Sequence, residues 1–159
     1  MEIRVGSGFD VHQLKEGLDF WLGGIIVPHS KGALGHSDAD VLVHSICDAL
    51  LGAANLGDIG KHFPDTDPKY KAIDSKILLS SVMQIIREKG YKLGNVDSTI
   101  CLQKPKIQDY IPQMKKTLAS CMGVDIDIVS IKATTTEELS FVGREEGVSA
   151  YATVLITSD

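Results

Sequence analysis

The sequence contains few of the residues that hold small secreted proteins together or anchor proteins in membranes. Only three of its 159 residues are cysteine (Cys47, Cys101 and Cys121), and each has apolar neighbours, so we expect buried, free thiols. No apolar run approaches the ~20 residues that a membrane span needs. The amino terminus reads directly as a strand, without a signal or transit pattern. We therefore expect no membrane partner and a cytoplasmic location.

A surplus of positive charge is also missing. Lysine and arginine together number 16 against 21 aspartates and glutamates, and the net charge is -5, so we expect no nucleic acid partner. Apolar residues make up 43% of the chain and charged residues 23%, which is typical of a globular protein. The length favours one domain with one core over residues 1–159.

Strand and helix patterns alternate along the chain, which predicts an α/β (α+β) fold with a mixed sheet and helices packed on one face. Strands are predicted at 3–9, 18–22, 25–27, 96–103, 129–134 and 148–156, and helices at 38–54, 74–89 and 107–122. Gly23-Gly24 predicts a hairpin, Pro112 a helix restart and Gly123 a helix end. The last strand is uncharged on both faces, which favours helices on one side and another subunit on the other.

Three residues have the chemistry of a metal site. Asp10 and His12 are two apart at the end of a predicted strand, so their side chains share one face, and His44 lies on a predicted helix. One carboxylate and two imidazoles suit a divalent metal such as zinc, and three ligands leave one position open for chemistry. Asp48, one turn beyond His44, is predicted to orient the His44 ring. The alternative is that all four are ordinary surface residues.

The segment before the first long helix is a candidate anion site. Ser37 or Asp38 is the predicted N-cap, and the free N–H groups of the first turn attract anions. His36 and Ser37 can add side-chain donors. The segment by itself favours simple capping, but the nearness of His44 and the Asp10–His12 pair favours phosphate binding.

Polar loops supply further candidates, each with a structural alternative. The carboxylates of residues 57–68 suit a polyhydroxylated ligand or merely cap turns. Residues 132–137 either end a strand or offer hydroxyls to a phosphate and Glu137 to a hard cation such as Mg²⁺. Arg144 is a candidate second phosphate clamp, and residues 105–107 could present backbone groups to a base.

Taken together, these motifs resemble the 2-C-methyl-D-erythritol 2,4-cyclodiphosphate synthase family, and the resemblance covers essentially the whole chain. The motifs that carry it, in order, are Gly8–His12, Gly35–Val41, Asp48–Ala53, Leu56–Gly60, Phe63–Asp67 and Lys132–Glu137. Two departures are Asp19-Phe20-Trp21 before the Leu22-Gly23-Gly24 segment, and Ser140 where the family often has glycine.

The resemblance implies an enzyme of non-mevalonate isoprenoid biosynthesis, a CMP-releasing lyase that forms a ring. The implied substrate is 4-diphosphocytidyl-2-C-methyl-D-erythritol 2-phosphate, whose 2-phosphate attacks the β-phosphorus of its own diphosphate. The products are the 2,4-cyclodiphosphate and CMP. The family is a homotrimer with active sites between adjacent subunits and a central cavity that can hold an isoprenoid diphosphate.

The resemblance also implies roles for individual residues. Asp10, His12 and His44 would bind zinc or a similar divalent metal, and Glu137 would bind Mg²⁺ or Mn²⁺ together with the substrate diphosphate. His36 and Thr135 would stabilise the transition state, and Ser37 would fix a phosphate. The implied substrate contacts are Asp58, Ile59, Gly60, Phe63, Asp65 and Asp67 for methylerythritol and ribose, and Leu102, Pro105, Lys106, Ile107, Gln108 and Thr134 for cytidine. Phe141 and Arg144 would lie near the central cavity.

Two other functions are compatible with a metal triad. The first is a catalytically inactive trimer that binds cytidine nucleotides or isoprenoid diphosphates as a sensor, although such a protein need not retain all four metal ligands. The second is a zinc hydrolase with Asp38 or Asp40 as its general base, although the sequence has no His-Glu-x-x-His pattern.

Overall fold

The backbone forms a five-stranded mixed sheet with its long helices on one face. We describe a computed structural model that covers residues 1–159. The strands are β1 (Glu2–Glu16), β2 (Trp21–Leu22), β3 (Ile25–Ile26), β4 (Lys31–Leu34), β5 (Lys92–Cys101), β6 (Val129–Thr134) and β7 (Gly147–Ser158). The helices are α1 (Val41–Ala53), α2 (Ile59–His62), α3 (Ser75–Glu88), α4 (Ile111–Met122) and α5 (Ser140–Gly143), with 3₁₀ turns at Pro68–Tyr70, Gln108–Tyr110 and Ile126–Ile128. The predicted fold class is confirmed.

The main sheet has the strand order β4-β1-β7-β5-β6, and β2 and β3 form a separate hairpin. Only β5 and β6 are parallel; β7 pairs antiparallel with β1 on one side and β5 on the other. Helix α1 packs across β1 and β7, α4 packs against β6, and α3 packs against α1 and α4. The uncharged β7 is therefore the central strand of the sheet, and the helices predicted to cover one of its faces are present.

The two faces of the sheet have different environments. Alternate residues of β7, from Val148 to Ile156, are buried beneath the helices. The opposite face carries five large apolar side chains that are 44 to 64% exposed: Ile3, Val5, Phe9, Val11 and Tyr151. The rings of Phe9 and Tyr151 lie 4.9 Å apart on neighbouring strands. We call these five residues the open sheet face, because no element of this chain covers it.

Helix α1 and strand β1 approach each other closely because two residues of β1 are glycine. An added Cβ on Gly6 would lie 2.0 Å from the carbonyl oxygen of Ala49, and one on Gly8 would lie 1.9 Å from that of Ser45. Any side chain at these positions would force the helix away from the sheet. The glycines thus set the distance between α1 and the strand that carries Asp10 and His12.

Helix α1 begins with Asp40, not with the predicted Ser37 or Asp38. The Asp40 carboxylate accepts from the N–H of Val43 at 3.1 Å, and also from the N–H groups of Gly23 and Gly24 at 3.0 and 2.7 Å. The wholly buried Asp40 carboxylate thus binds both the first turn of α1 and the β2–β3 hairpin, whereas Ser37 and Asp38 are more exposed. Burial raises the pKa of the Asp40 carboxyl.

Several predicted element boundaries are confirmed, and others are wrong. Gly123 ends α4 with φ +64°. The predicted helix restart is also present, because a 3₁₀ turn ends at Tyr110 and α4 begins at Ile111 with Pro112 in its first turn. Strand β1 continues past Phe9 to Glu16, because it pairs with β7 as far as Gln13 and then with β4. Strand β4 and the short helices α2 and α5 were not predicted, since four-residue elements leave little periodicity in a sequence.

The cysteines are free, as predicted, but Cys47 alone is fully buried. Cys101, the last residue of β5, and Cys121, in the last turn of α4, are partly exposed, so the prediction that all three thiols are buried is wrong for these two. None of the helices combines the length and the apolar character that crossing a membrane would demand.

Candidate metal centre and active site

Three side chains converge between β1 and the first turns of α1. Asp10 and His12 lie within β1, opposite Ala150 and Val148 of β7, and point towards α1, which carries His44. The Asp10 Oδ2 atom lies 2.9 Å from His12 Nε2 and 3.1 Å from His44 Nδ1. The two histidine nitrogens are 3.2 Å apart. The predicted triad is therefore assembled, although Asp10 and His12 lie inside a strand and not at its end.

The triad fits a divalent metal. Ligand atoms around a tetrahedral zinc at about 2.0–2.1 Å lie roughly 3.3 Å from one another, and the three observed separations are close to this value. The three side chains retain 12 to 25% of their exposure, so a fourth position opens outward. An open fourth position is typical of a catalytic metal site, whereas a structural site has four protein ligands.

Ionisation of Asp10 favours a cation in the triad, whereas a proton on His12 competes with that cation. Burial opposes ionisation of Asp10, but hydrogen bonds and charge from His12 and His44 prevail and lower the pKa of Asp10 to about 2. Burial likewise opposes the protonation of His12, but the Asp10 carboxylate outweighs it and raises the pKa of His12. The Nδ1 of His12 lies 3.0 Å from the carbonyl oxygen of Leu34, which can only accept, so Nδ1 carries the hydrogen and Nε2 is free to bind metal.

The other ring nitrogen of His44 contacts two serines. Its Nε2 lies 2.9 Å from Ser75 Oγ and 3.1 Å from Ser37 Oγ. The prediction that Asp48 orients this ring is wrong, because the Asp48 carboxylate accepts from the N–H of Ile59 at 2.7 Å. Ser75 was missed as a site residue, since it is 31 positions from His44 and its sequence context indicates only a helix start.

A cavity of about 320 Å³ opens beside the triad, and we call it the metal cavity. Its lining includes two residues of the triad and six other predicted residues: His12, His44, His36, Ser37, Ile59, Gly60, Phe63 and Asp65. Tyr70, Ile73 and Leu78 complete the wall and were not predicted. The rings of Phe63 and Tyr70 pack edge to face, with their centroids 5.5 Å apart.

Two carboxylates predicted to contact substrate do not line the metal cavity. The side chain of Asp58 caps α2 by accepting from the N–H of Lys61 at 2.9 Å. The side chain of Asp67 caps the following 3₁₀ turn through the N–H of Lys69, also at 2.9 Å. Both therefore stabilise the loop that carries Phe63 and Asp65.

A second cavity of about 300 Å³ lies at the ends of β5 and β6, and we call it the strand-end cavity. It is lined by all six residues predicted to contact cytidine, together with Thr135: Leu102, Pro105, Lys106, Ile107, Gln108 and Thr134. Glu137 follows on an exposed loop, and its N–H donates to Thr135 Oγ1 at 3.3 Å. Glu137 is not part of the metal triad.

The two cavities are separate within one chain. Val11 pairs with Ser149, Ser149 with Cys101, and Cys101 with Thr134, so three strand spacings separate β1 from β6 at this level. At about 4.8 Å per spacing, the distance is roughly 14 Å. A single chain therefore does not bring Thr135 and Glu137 against its own triad.

Phe141 and Arg144 lie near the base of the open sheet face. Phe141 packs over Gly147 and lines a shallow groove with Val11 and His12. The exposed Arg144 pairs with Glu146 at 2.8 Å. Ser140 has φ +64°, a left-handed conformation that glycine adopts without strain, which accounts for the glycine expected at this position.

Neither Asp38 nor Asp40 is free to act as the general base that the hydrolase hypothesis requires. Asp40 is wholly buried and accepts three backbone hydrogen bonds, so it does not face the cavity. Asp38 accepts from the hydroxyl and the N–H of Ser75. Neither carboxylate is placed to activate water on a metal.

This fold and this three-ligand centre define a single α/β domain with a candidate metal-dependent active site. The model of the YgbB family matches residues 3–157, and the chain belongs to that family. It is 65% identical over 159 residues to the 2-C-methyl-D-erythritol 2,4-cyclodiphosphate synthase of Bacteroides thetaiotaomicron, with 100% of both chains covered. It is 60% identical over 153 residues to the synthase of Porphyromonas gingivalis, with 96% of this chain and 94% of the relative covered. The resemblance predicted from the motifs is confirmed.

Solved structures share the fold. The bifunctional IspDF of Campylobacter jejuni superposes with a TM-score of 0.96 and 42% identity; the match covers 99% of this chain but 43% of that longer protein. A cyclodiphosphate synthase in a CDP-bound form gives 0.90 and 36%, covering 97% of this chain and 100% of the other. The CDP complex of Plasmodium falciparum IspF gives 0.87 and 32%, covering 99% and 97%.

Proposed function

We propose that residues 1–159 form one catalytic domain that converts 4-diphosphocytidyl-2-C-methyl-D-erythritol 2-phosphate to the 2,4-cyclodiphosphate and CMP. The reaction would serve non-mevalonate isoprenoid biosynthesis in the cytoplasm. The observation that carries the proposal is an assembled metal triad in a chain that is 65% identical over its full length to a named synthase.

The reaction is an internal phosphoryl transfer. An oxygen of the 2-phosphate forms a bond to the β-phosphorus, and the bond from that phosphorus to the α,β-bridging oxygen breaks and releases CMP. Such transfers depend on alignment and charge neutralisation more than on covalent catalysis. A divalent metal such as zinc, held by Asp10, His12 and His44, would supply positive charge to the β-phosphate oxygens.

The side chains around the triad would align the phosphates. His36 and Ser37 line the metal cavity next to His44, where they can donate to phosphoryl oxygens. Thr135 would donate from the strand-end cavity, and Glu137 would hold the Mg²⁺ or Mn²⁺ that accompanies the substrate diphosphate. These roles place the two reacting phosphates between the two cavities.

Substrate recognition would be divided between the cavities. The apolar and acidic wall formed by Ile59, Gly60, Phe63 and Asp65 would contact methylerythritol and ribose, with Asp58 and Asp67 fixing the loop. The strand-end cavity would take cytidine, and two similar proteins are known in CDP-bound forms.

A homotrimer would join the two cavities. Because they lie roughly 14 Å apart in one chain, a complete site needs the metal cavity of one subunit and the strand-end cavity of its neighbour. The open sheet face offers the apolar surface for this association. Phe141 and Arg144, at the base of that face, would border a central cavity able to hold an isoprenoid diphosphate.

The test is CMP release from the proposed substrate, with phosphorus NMR of the second product, before and after chelation of metal. We expect a cyclic diphosphate whose formation stops on chelation and resumes with zinc. His44→Ala should lose metal and activity together, whereas His29→Ala, which lines neither cavity, should retain both. A metal-loaded trimer that binds CDP but releases no CMP would indicate the sensor function instead.

A further inference from the structure

Behind His44 lies a chain of hydrogen bonds that leads away from the triad. Ser75 Oγ is 2.9 Å from His44 Nε2, on the side of the ring opposite the ligand atom Nδ1. The Ser75 hydroxyl in turn bonds to Asp38 Oδ1, and the Ser75 N–H donates to Asp38 Oδ2 at 2.8 Å. Ser75 is 0% exposed, so no water competes for its hydroxyl.

When His44 offers Nδ1 to a metal, the chemistry of these groups sets the direction of each hydrogen bond behind the ring. An ionised carboxylate only accepts, so the Ser75 hydroxyl donates to Asp38. The Ser75 oxygen then has lone pairs left to accept from His44 Nε2–H. A neutral imidazole with its hydrogen on Nε2 leaves Nδ1 unprotonated, and Nδ1 is the atom that faces Asp10 and His12.

The second serine near His44 is less suited to this role. Ser37 Oγ lies 3.1 Å from the same nitrogen, but it is partly exposed on the metal cavity and also accepts from the N–H of Ala39 at 3.2 Å. No carboxylate of the chain accepts from its hydroxyl. Ser37 is therefore free to turn towards a ligand, whereas Ser75 is fixed by Asp38.

We propose that Ser75 and Asp38 are positioning residues for the metal centre. Asp38 holds the Ser75 hydroxyl, Ser75 fixes the tautomer and ring orientation of His44, and this relay contributes to metal affinity. The relay also joins two elements, because Asp38 precedes α1 and Ser75 is the first residue of α3. The inference rests on the proposed role of His44 as a metal ligand.

The test measures metal binding, not turnover. Co²⁺ is titrated into metal-free wild type, Ser75→Ala and Asp38→Asn, with the dissociation constant taken from chelator competition and the ligand field from the visible absorption spectrum. Ser81→Ala is the matched control, because this half-buried serine of the same helix bonds only to the carbonyl oxygen of Ile77. Asp38→Asn keeps the side-chain shape and removes the charge, so the relay remains testable if Ser75→Ala does not fold.

We expect Ser75→Ala to raise the dissociation constant for Co²⁺ about 10- to 100-fold and to change the visible spectrum, as is usual when a second partner of a metal-bound histidine is lost. Asp38→Asn should act in the same direction, and Ser81→Ala should match wild type. Constants within about threefold of wild type for both Ser75→Ala and Asp38→Asn, with unchanged spectra, would overturn the relay. Failure of the proposed function would look different: wild type would bind Co²⁺ and form no cyclic product.

Discussion

The contact between β1 and α1 allows a sharp prediction about Gly8. An ideal Cβ at this position would lie 1.9 Å from the carbonyl oxygen of Ser45, whereas real Cβ contacts essentially never fall below 3.0 Å. It would also lie 2.8 Å from the backbone nitrogen of Ala49. Both obstacles are helix backbone, which cannot rotate aside, so Gly8→Ala should push α1 about 1 Å away from β1.

This displacement should affect both stability and metal binding. Overpacking a core typically costs 1–3 kcal/mol, and a backbone obstacle puts this site at the upper end, about 3 kcal/mol. For a domain of this size that corresponds to a fall in Tm of about 6–12 °C. Metal–ligand distances tolerate only about 0.2 Å, so a helix displaced by about 1 Å carries His44 out of range of Asp10 and His12.

The measurements are thermal unfolding of the metal-free protein and Co²⁺ affinity of each variant. Gly52→Ala is the matched control: it lies on exposed α1 surface, its added Cβ would meet nothing closer than 3.9 Å, and it should change stability by about 0.5 kcal/mol in the favourable direction. If Gly8→Ala melts within about 2 °C of wild type and binds Co²⁺ equally well, the close-contact argument is wrong.

Three further predictions concern protonation, the start of α1 and the open sheet face. The Asp10 carboxylate raises the pKa of His12 above 6.5, so Co²⁺ affinity should fall as the pH falls through that pKa. In the metal-free protein, the His12–Asp10 pair should stabilise the fold below pH 6.5, and this stabilisation should be lost as the pH rises through the raised pKa. Metal titrations and thermal melts from about pH 5 to 9 with the opposite slopes would contradict this. Asp40→Ala leaves three backbone donors without their acceptor and should cost about 3 kcal/mol in urea unfolding, and a loss under about 1 kcal/mol would refute the capping role. Tyr151→Glu should convert the proposed trimer to monomers in analytical ultracentrifugation, with Lys92→Glu at an exposed strand end as control; an intact trimer would argue against association through this face.

Much of the candidate site follows from short-range pattern. Alternation along a strand places Asp10 and His12 on one face whatever the rest of the fold, and helical periodicity turns His44 away from the apolar side of α1. Six short motifs in order, from Gly8–His12 to Lys132–Glu137, indicate the family, and the family match over residues 3–157 confirms it. These features depend on residues only a few positions apart, so a sequence can encode them directly.

The tertiary structure decided which neighbours these residues acquired. Asp40 became the cap because the β2–β3 hairpin folds back onto the start of α1, and Asp48 faced α2 instead of His44. Ser75 reached His44 from 31 positions away through the packing of α3 against α1. Strand order likewise set the metal cavity apart from the strand-end cavity. Contacts of this kind depend on how elements pack, and local periodicity carries no information about that packing.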